Sequence, residues 1–341
     1  MGKNLDLITN NTNLGLSMVL WLGHDSYDHN PEGAEDIDGP IVSATTLLKP
    51  TRSLILGSRI QGSDAEVDIA SLGAARIGQS IHGSIEDAFA SPNRDALLEK
   101  MGYPPGLIKK LRINPTAADI EADPSIVPIY LEQRAFKQVT LTSGAKLWIS
   151  GKYDQVIAGQ VEDNKSTKAY SYINMDQSEK SNYALQQSIY RWLSPDKITS
   201  DLGRINFIFT DWKRGDVSRI KGYPPHQVME MPVNLASLED TERFIIKKLD
   251  EIEKASLLNE MDLPRCKDED LWKSPDTHKY YANPEVAKKR GRSTKNFDTI
   301  LEANNYKATK GKGVVLTVPG EVRRCTYCDG APLCTQRLEY I

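Results

Sequence analysis

The chain lacks the segments that would send it into or across a membrane. No apolar run approaches the roughly eighteen residues of a membrane span, and no charged-then-apolar signal peptide opens the sequence. Two enzyme signatures are also missing, since the sequence has neither the G-x-x-x-x-G-K-[ST] loop of ATPases nor the G-x-S-x-G elbow of serine hydrolases. We therefore expect a cytoplasmic protein that makes no membrane contact and belongs to neither enzyme class.

The chain also lacks a strong excess of charge. Its 341 residues include 43 Lys and Arg and 46 Asp and Glu, which leaves a net charge of −3. Length and composition suit one large domain or two small ones. With no overall attraction to nucleic acid, DNA contact would depend on local basic clusters. Three such clusters are candidates: Lys109-Lys110-Leu-Arg112, Lys213-Arg214 with Arg219 and Lys221, and Lys288-Lys289-Arg290-Gly-Arg292 with Lys295.

Two stretches of strand character in the middle of the chain predict a β-hairpin. They run from Leu147 to Ile157 and from Gln160 to Ser166, and the pair Ala158-Gly159 between them is short enough for a tight turn. Pairing across that turn places Asp154 directly opposite Asp163. The run that follows, INFIFTDW at 205–212, predicts a buried strand beside this hairpin in a mixed sheet.

Two carboxylates facing each other on a sheet repel unless a cation neutralises them. Asp154 and Asp163 therefore predict a site for Mg²⁺ or Mn²⁺, which prefer oxygen ligands. Lys165 shares the face of both and is placed to assist a water or to stabilise charge on a phosphate. The pattern is equally compatible with a solvated polar face that holds a Lys–Asp pair.

Two predicted helices carry further polar residues on one face. In the helix predicted from Asp64 to Ala90, Gly78, His82 and Glu86 are four residues apart. A glycine within a helix costs up to about 1 kcal/mol, which indicates close approach by another element. The helix predicted from 178 to 193 aligns Gln186 with Tyr190. Without other signals, His82 would be a satisfied core histidine and Tyr190 an amphipathic edge of the core.

All four cysteines lie in the last quarter of the chain. Cys266 stands alone, and Cys325, Cys328 and Cys334 follow with C-x₂-C-x₅-C spacing. Four cysteines in a cytoplasmic protein argue against structural disulfides and favour a metal or a cluster. The spacing alone does not distinguish between three states of these cysteines: zinc ligands, ligands of an iron–sulfur cluster, and free thiols.

Taken in order, these motifs resemble the PD-(D/E)XK nuclease superfamily, in the branch of the RecB-type, AddB-type and Cas4-type nucleases. The matching patterns are G-x-x-x-H at Gly78 and His82, D…D-x-K at Asp154, Asp163 and Lys165, Q-x-x-x-Y at Gln186 and Tyr190, and the cysteine set. One departure concerns Cys266, which follows the hairpin, whereas the lone cysteine of the better-known relatives precedes it. That order is more similar to phage-encoded nucleases of this branch.

The resemblance implies an α/β fold with a restriction-endonuclease-like mixed central sheet flanked by helices. It also implies three parts: a lead-in at 1–42, a nuclease core at 43–257 and a cysteine-bound subdomain at 258–341. Metal ligands would be His82, Asp154, Asp163 and the carbonyl of Asn164, and Lys165 would assist the attack. Gln186 and Tyr190 would border the active site, and Cys266, Cys325, Cys328 and Cys334 would hold a [4Fe–4S] cluster.

The resemblance further implies a metal-dependent deoxyribonuclease that acts as an exonuclease on DNA ends or single strands. Its partners would be DNA and proteins of replication, recombination or repair. Two alternatives remain open: a non-catalytic DNA-binding or scaffold protein with the same fold, and an endonuclease whose cysteines hold zinc.

Overall fold

The structure is a computed structural model that describes residues 7–24, 34, 37–60, 66–175 and 177–340. The start of the helix predicted at Asp64 lies outside the described residues. The chain divides into two compact units. The first comprises residues 1–48 and 62–250, and the second comprises 49–61 and 251–341. Residues 49–61, which the resemblance would assign to the nuclease core, thus belong to the same unit as the cysteines.

Helices and strands alternate irregularly along the chain. Up to residue 122 they are β1 Ile8–Thr9, α1 Leu16–Gly23, β2 Ile41–Ser43, α2 Ala44–Leu47, α3 Thr51–Arg59, β3 Val67–Asp68, α4 Gly73–Phe89, α5 Arg94–Lys100, α6 Pro105–Ile108, β4 Leu111–Ile113 and α7 Ala117–Ala122. They continue with β5 Val127–Leu131, β6 Arg134–Thr140, β7 Lys146–Lys152, β8 Gln155–Ile157, β9 Gln160–Thr167, α8 Ala169–Ile173, α9 Gln177–Leu193, β10 Leu202–Phe209, β11 Val228–Asn234 and α10 Leu238–Ser256. The last are β12 Thr277–Tyr281, α11 Pro284–Lys288, β13 Lys295–Phe297, α12 Ile300–Lys310 and β14 Val314–Val318.

Six strands of the first unit form a mixed central sheet in the order β11-β10-β9-β8-β5-β4. The pairs β9/β10 and β4/β5 are parallel, and the other neighbours are antiparallel. Helices lie against the sheet, since α4 contacts β9 and α9 contacts both β9 and β10. The predicted α/β class, with a mixed central sheet flanked by helices, is confirmed. The run at 205–212 also lies beside the hairpin as predicted, although its strand ends at Phe209.

The central hairpin has the predicted register within β8 and β9, but the pairing ends at Gln155 and Glu162, so the predicted Asp154–Asp163 pair is not formed. Gln155 pairs with Glu162 and Val156 with Val161, and the turn consists of Ala158 and Gly159. Both turn residues have positive φ, 49° and 85°, as a two-residue type I′ turn requires. A side chain at Gly159 would also meet Thr199, whose Oγ1 lies 2.2 Å from the ideal Cβ position.

The strand predicted from Leu147 to Ile157 is not continuous. It is split into β7 and β8 by a bend at Tyr153 and Asp154. The physical reason is a change of partners, because β7 pairs with β2 and β6 in a separate three-stranded sheet, whereas β8 pairs with β5 and β9. Asp154 therefore lies where the chain leaves one sheet and enters the other.

Helix α9 packs closely on this part of the first unit. At Gly151 of β7 an ideal Cβ would lie 2.6 Å from Leu193 Cδ1 and 2.9 Å from Tyr190 Cδ1, so only glycine fits under the helix. The surrounding core is formed by Ile149, Val156, Val161, Ile189, Trp192, Ile245 and Leu249. Fully buried aliphatic side chains of this kind each contribute about 1.5–3 kcal/mol to folding.

The helix predicted from Asp64 begins only at Gly73 in the structure. Before it, Val67 and Asp68 pair with β1, and the Asp68 side chain accepts a hydrogen bond from Ala70 N at 2.9 Å, which caps a short 3₁₀ turn. Ile77 of this helix does not face a core, because this residue is 45% exposed. Arg76 is buried instead and donates from Nε to the carbonyl of Leu22 at 2.8 Å.

The second unit contains a small antiparallel sheet in the order β13-β12-β14, with α12 packed against all three strands. Helix α3 of the same unit contacts the 3₁₀ turn Ala331–Leu333. Among the described residues of the whole chain, none of the helices combines the length and the apolarity that a membrane crossing requires.

Candidate metal centre and its surroundings

Asp154 occupies the bend between β7 and β8, and its carboxylate is held from two sides. Oδ2 accepts a hydrogen bond from Asn164 N of β9 at 2.7 Å. Oδ1 lies 3.5 Å from His82 Nδ1. The bend thus directs a mostly buried carboxylate away from the paired part of the hairpin and toward helix α4.

His82 reaches this carboxylate because α4 lies close to β9. An ideal Cβ at Gly78, one turn before His82, would be 3.3 Å from Ser166 Oγ, so the glycine permits the close approach that its position predicted. The pKa of His82 is raised, chiefly by its hydrogen bond to Asp154, while burial opposes the rise and the charges of Glu132 and Asp163 support it.

Glu132 completes the group, and sequence reasoning missed it. It follows β5 with φ of 52°, and its backbone N–H donates to the carbonyl of Asp154 at 2.8 Å. Its Oε2 lies 2.6 Å from Lys152 Nζ. Burial raises the pKa of Glu132; Lys152 opposes this rise, and the charges of Asp154 and Glu86 add to it.

One ligand atom from each of His82, Glu132 and Asp154 lies within 4.8 Å of the other two. An imidazole nitrogen with two carboxylate oxygens is a donor set for a divalent cation, and the carboxylates favour Mg²⁺ or Mn²⁺. The three residues line a cleft of about 410 Å³ together with Glu86, Arg134 and Lys152. Oxygen and nitrogen donors therefore converge at one side of a cleft that also carries positive charge.

Asp163 and Lys165 form a separate pair on β9. Lys165 Nζ lies 2.6 Å from Asp163 Oδ2, and only 3% of the Asp163 side chain is exposed. Burial raises the pKa of Asp163; Lys165 counteracts this rise and the nearby Asp154 adds to it. Burial alone would lower the pKa of Lys165. The charge of Asp163 and its hydrogen bond to Lys165 have the larger effect, so the pKa of Lys165 is raised. Asp163, predicted as a ligand, is not a member of the group formed by His82, Glu132 and Asp154.

Asn164 lies between Asp163 and Lys165 on β9. Its N–H binds Asp154, and its side chain donates to Gln155 Oε1 at 3.0 Å and accepts from Asn206 Nδ2 at 3.1 Å. These bonds fix Asp154 relative to β9 through the main chain of Asn164.

Gln186 and Tyr190 are neighbours on α9, as their spacing predicts. Gln186 Nε2 donates to the Tyr190 hydroxyl at 2.7 Å, and both residues are buried. Tyr190 lines the cleft and stands edge-on to Tyr153, with ring centroids 6.4 Å apart. The glutamine therefore orients a tyrosine whose ring lines the cleft of the candidate metal centre.

The four cysteines of the second unit converge on one small cavity. Cys266, Cys325, Cys328 and Cys334 all line a space of about 30 Å³ and carry free thiols. The side chain of Gln336 holds the lone cysteine in place, since it accepts from Cys266 N at 2.9 Å and donates to Cys266 O at 2.8 Å.

Helix α3 supplies polar contacts to two of these thiols. Arg52 Nε donates to Cys334 Sγ at 3.3 Å, and Ser53 Oγ lies 3.2 Å from Cys328 Sγ. Burial raises the pKa of Cys266 to about 11 and also raises the pKa of Cys325. These two thiols therefore hold their protons at neutral pH unless a bound metal displaces them.

The three predicted basic clusters are all on the surface. Lys109, Lys110 and Arg112 flank the start of β4, and their side chains are exposed. The cluster from Lys213 to Lys221 is exposed as well, with Arg219 paired to Asp216 at 2.5 Å. The third cluster, from Lys288 to Lys295, joins α11 to β13 in the second unit.

No protein-family model and no curated protein matches the chain. Among solved structures it is similar to the protein SSO0001, at 13% identity over 62% of this chain and 76% of that one, with a TM-score of 0.36. It is similar to a phage-related exonuclease from Haemophilus somnus 129PT, at 12% identity over 48% and 81% of the two chains, with a TM-score of 0.23. Rai1 from Scheffersomyces stipitis follows at 12% identity over 84% and 74%, with a TM-score of 0.22. Likenesses this low do not assign a function.

Proposed function

We propose that this protein is a metal-dependent deoxyribonuclease of the PD-(D/E)XK type. The observation that carries the proposal is the group of His82, Glu132 and Asp154, whose ligand atoms lie within 4.8 Å of one another. The Asp163–Lys165 pair lies on the strand whose Asn164 N–H holds Asp154. The charge of Asp154 also acts on Lys165, so a hard-cation site and a lysine are close enough to serve together in phosphodiester hydrolysis.

In this proposal His82, Glu132 and Asp154 hold Mg²⁺ or Mn²⁺, with the Asn164 carbonyl as a further oxygen ligand. Such an ion, when bound, polarises a phosphate and lowers the pKa of a bound water. Lys165 orients the attacking water or stabilises negative charge on the phosphate, and Asp163 keeps the lysine charged and in position. Gln186 fixes the Tyr190 hydroxyl, and Tyr190 borders the bound strand.

Exonuclease action on DNA ends or single strands is the mode that the family resemblance implies, and replication, recombination or repair proteins are the corresponding partners. The division that the resemblance implies, a core at 43–257 and a cysteine subdomain at 258–341, differs from the two compact units at 49–61 and 251–257, which lie in the unit of the cysteines. End-labelled single-stranded and duplex DNA should be incubated with Mg²⁺, Mn²⁺ or chelator, and the product ladder followed over time. Stepwise shortening that stops in chelator is expected. No cleavage with either metal would favour a DNA-binding scaffold, and internal products would favour an endonuclease.

We also propose that the four cysteines bind a [4Fe–4S] cluster that is part of the fold of the second unit. Four thiols on one cavity supply the complete donor set of such a cluster. The Arg52 side chain is almost fully buried beside them, where it forms an ion pair with Glu260 and donates a hydrogen bond to Cys334 Sγ. Hydrogen bonds to cysteine sulfur, as from Arg52 and Ser53, are features that tune clusters of this kind.

Replacement of one cysteine tests this assignment. Anaerobically purified protein should be brown, contain iron and sulfide, and absorb broadly near ~400 nm. Cys328→Ser should bleach it and make residues 266–340 sensitive to protease, because metal binding and folding of the segment are coupled. Tyr327→Phe is the matched control, since this exposed ring lies between Cys325 and Cys328. A colourless protein that contains one zinc ion would show that the cysteines bind zinc and not a cluster. Wild-type stability and protease resistance of Cys328→Ser would exclude both the cluster and zinc.

A further inference from the structure

Charge in this chain is unevenly distributed. The segment 277–318 of the second unit contains nine Lys and Arg against three Asp and Glu, whereas the whole chain has 43 against 46. The segment consists of β12, α11, β13, α12 and β14, which together make the small antiparallel sheet and its helices. A folded element with this excess of positive charge lies within an otherwise acidic chain.

Strand register brings the basic residues together at one end of the sheet. Both β13 and β14 run antiparallel to β12, with Lys295 opposite Tyr280 and Val314 opposite Tyr281. The loops that precede these two strands, 288–294 and 311–313, therefore lie at the end of the sheet where β12 finishes. Because β13 and β14 flank the same strand, their starts are about 10 Å apart.

Both loops are fixed to β12 by hydrogen bonds. In the first loop, Thr294 N donates to Tyr280 O at 2.9 Å, and Thr294 Oγ1 accepts from Ala282 N at 3.0 Å. In the second, the Tyr280 hydroxyl donates to Lys312 O at 3.0 Å. Gly313 allows this closeness, since an ideal Cβ would lie 2.4 Å from Tyr281 O. The cations are thus presented on ordered loops.

The cations at this end are available for an external anion. Lys289, Arg290, Arg292 and Lys312 are exposed, and none of these four makes an ion pair with a described residue. In the same loop region only Lys288 is paired among the described side chains, to Glu285 at 2.8 Å. Exposed Lys and Arg side chains in two neighbouring loops are the groups that contact the phosphates of a nucleic acid backbone.

The aromatic residues of the segment argue for phosphate contact without base stacking. Tyr280 and Tyr281 are buried, and Phe297 and Tyr306 are half-buried within the packing between the sheet and α12. Lys295 Nζ and Lys310 Nζ lie over the Tyr306 ring at 4.9 and 5.4 Å from its centroid. Proteins that bind single strands offer exposed rings on which bases stack, and this segment, described throughout, offers none.

We propose that the basic end of the 277–318 sheet, formed by Lys288 to Lys295 and Lys310 to Lys312, binds the phosphate backbone of duplex DNA without reading its sequence. This surface belongs to the second unit, and its role does not depend on DNA cleavage by the cleft of the first. This surface would let the chain bind at any position along a DNA duplex. The binding affinity would fall steeply as the salt concentration rises.

The test is charge reversal in the full chain, with binding measured by fluorescence anisotropy on a labelled duplex in buffer without divalent metal. The triple variant Lys289→Glu, Arg292→Glu, Lys312→Glu takes residues from both loops. We expect the affinity to fall at least about tenfold, and the slope of log K against log salt to become shallower by about 3, at roughly 0.9 per lost phosphate contact. The control is Lys100→Glu, Lys146→Glu, Lys247→Glu, which reverses three exposed lysines of the first unit.

Wild-type affinity and salt slope in the triple variant would overturn the proposal, and so would an equal loss in the control. A loss seen with a single-stranded probe but not with the duplex would overturn the choice of duplex. If the charge-reversed protein does not fold, the alanine version of the same triple variant replaces it, with the same expected direction. Because binding is measured without metal, an inactive wild type would count against the nuclease and not against this surface.

Discussion

Replacement of Lys165 by alanine is expected to lower the rate of metal-dependent DNA cleavage by about 10²- to 10⁴-fold, the usual contribution of a positioned acid–base or charge-stabilising group. The ammonium group of Lys165 lies 2.6 Å from Asp163, a buried residue of the same strand whose Asn164 N–H positions Asp154. Loss of the ammonium removes the charge opposite the reacting phosphate, while His82, Glu132 and Asp154 stay in place. Cleavage of end-labelled DNA at saturating Mg²⁺ measures the effect.

Lys168→Ala is the matched control, because this lysine is exposed and three residues further along the chain. The variant Lys165→Ala leaves a buried carboxylate without its partner, which can cost several kcal/mol of stability. The double variant Asp163→Asn, Lys165→Met removes both charges, and it should fold, bind DNA and fail to cleave. Wild-type cleavage by a folded Lys165→Ala protein would remove Lys165 from the mechanism.

Glu132→Gln is expected to raise the Mg²⁺ concentration needed for half-maximal cleavage by at least about 10- to 100-fold, the range seen when groups that support a metal are lost. Asp154→Asn and His82→Ala should act in the same direction, because each removes one of the three converging ligand atoms. Maximal rates at high Mg²⁺ should fall less than the apparent affinity. Activity titrations with Mg²⁺ and with Mn²⁺ give both quantities.

Glu86→Gln is the control for this series, since Glu86 lines the same cleft and lies one turn after His82 but is outside the three-ligand group. The raised pKa values of His82 and Glu132 mean that protons compete with the metal for both ligands. The Mg²⁺ requirement should therefore fall as pH rises, and less steeply in Glu132→Gln. Equal Mg²⁺ requirements for Glu132→Gln and Glu86→Gln would exclude Glu132 as a ligand.

The hairpin was predictable because its information is local. A two-residue turn fixes the register, and the alternation of side chains fixes which residues share a face. The structure confirms that register, with Gln155 opposite Glu162. The close packing at Gly78 was also predictable, because a glycine within a helix predicts a close neighbour. In the structure that neighbour is Ser166.

The bend at Asp154 was not predictable from the same pattern. Leu147 to Ile157 reads as one strand, and only the separate pairing of β7 and β8 divides it. Glu132 was missed for a related reason. It has no fixed spacing from His82 or Asp154, and it reaches them through the end of β5 and a backbone with φ of 52°. The available signal was a carboxylate directly after the apolar residues of β5.

The cysteines illustrate the same limit at longer range. Their spacing predicts a shared site, and all four line one cavity in the structure. No pattern in the sequence indicates that α3 belongs to the same unit, although Arg52 contacts Cys334 across 282 residues of chain. Contacts of that kind depend on tertiary packing, and no periodic pattern of residues in the sequence predicts them.

The most direct test of the central claim is to locate Mn²⁺ in crystals of the protein by its anomalous scattering. We expect a peak bonded to His82, Glu132 and Asp154, at the distances of roughly 2.0–2.2 Å typical of hard divalent cations and imidazole or carboxylate ligands. The peak should be lost in Asp154→Asn crystals grown under the same conditions. A saturating Mn²⁺ soak with no peak between these three residues, or an ion held elsewhere in the cleft without them, would contradict the account.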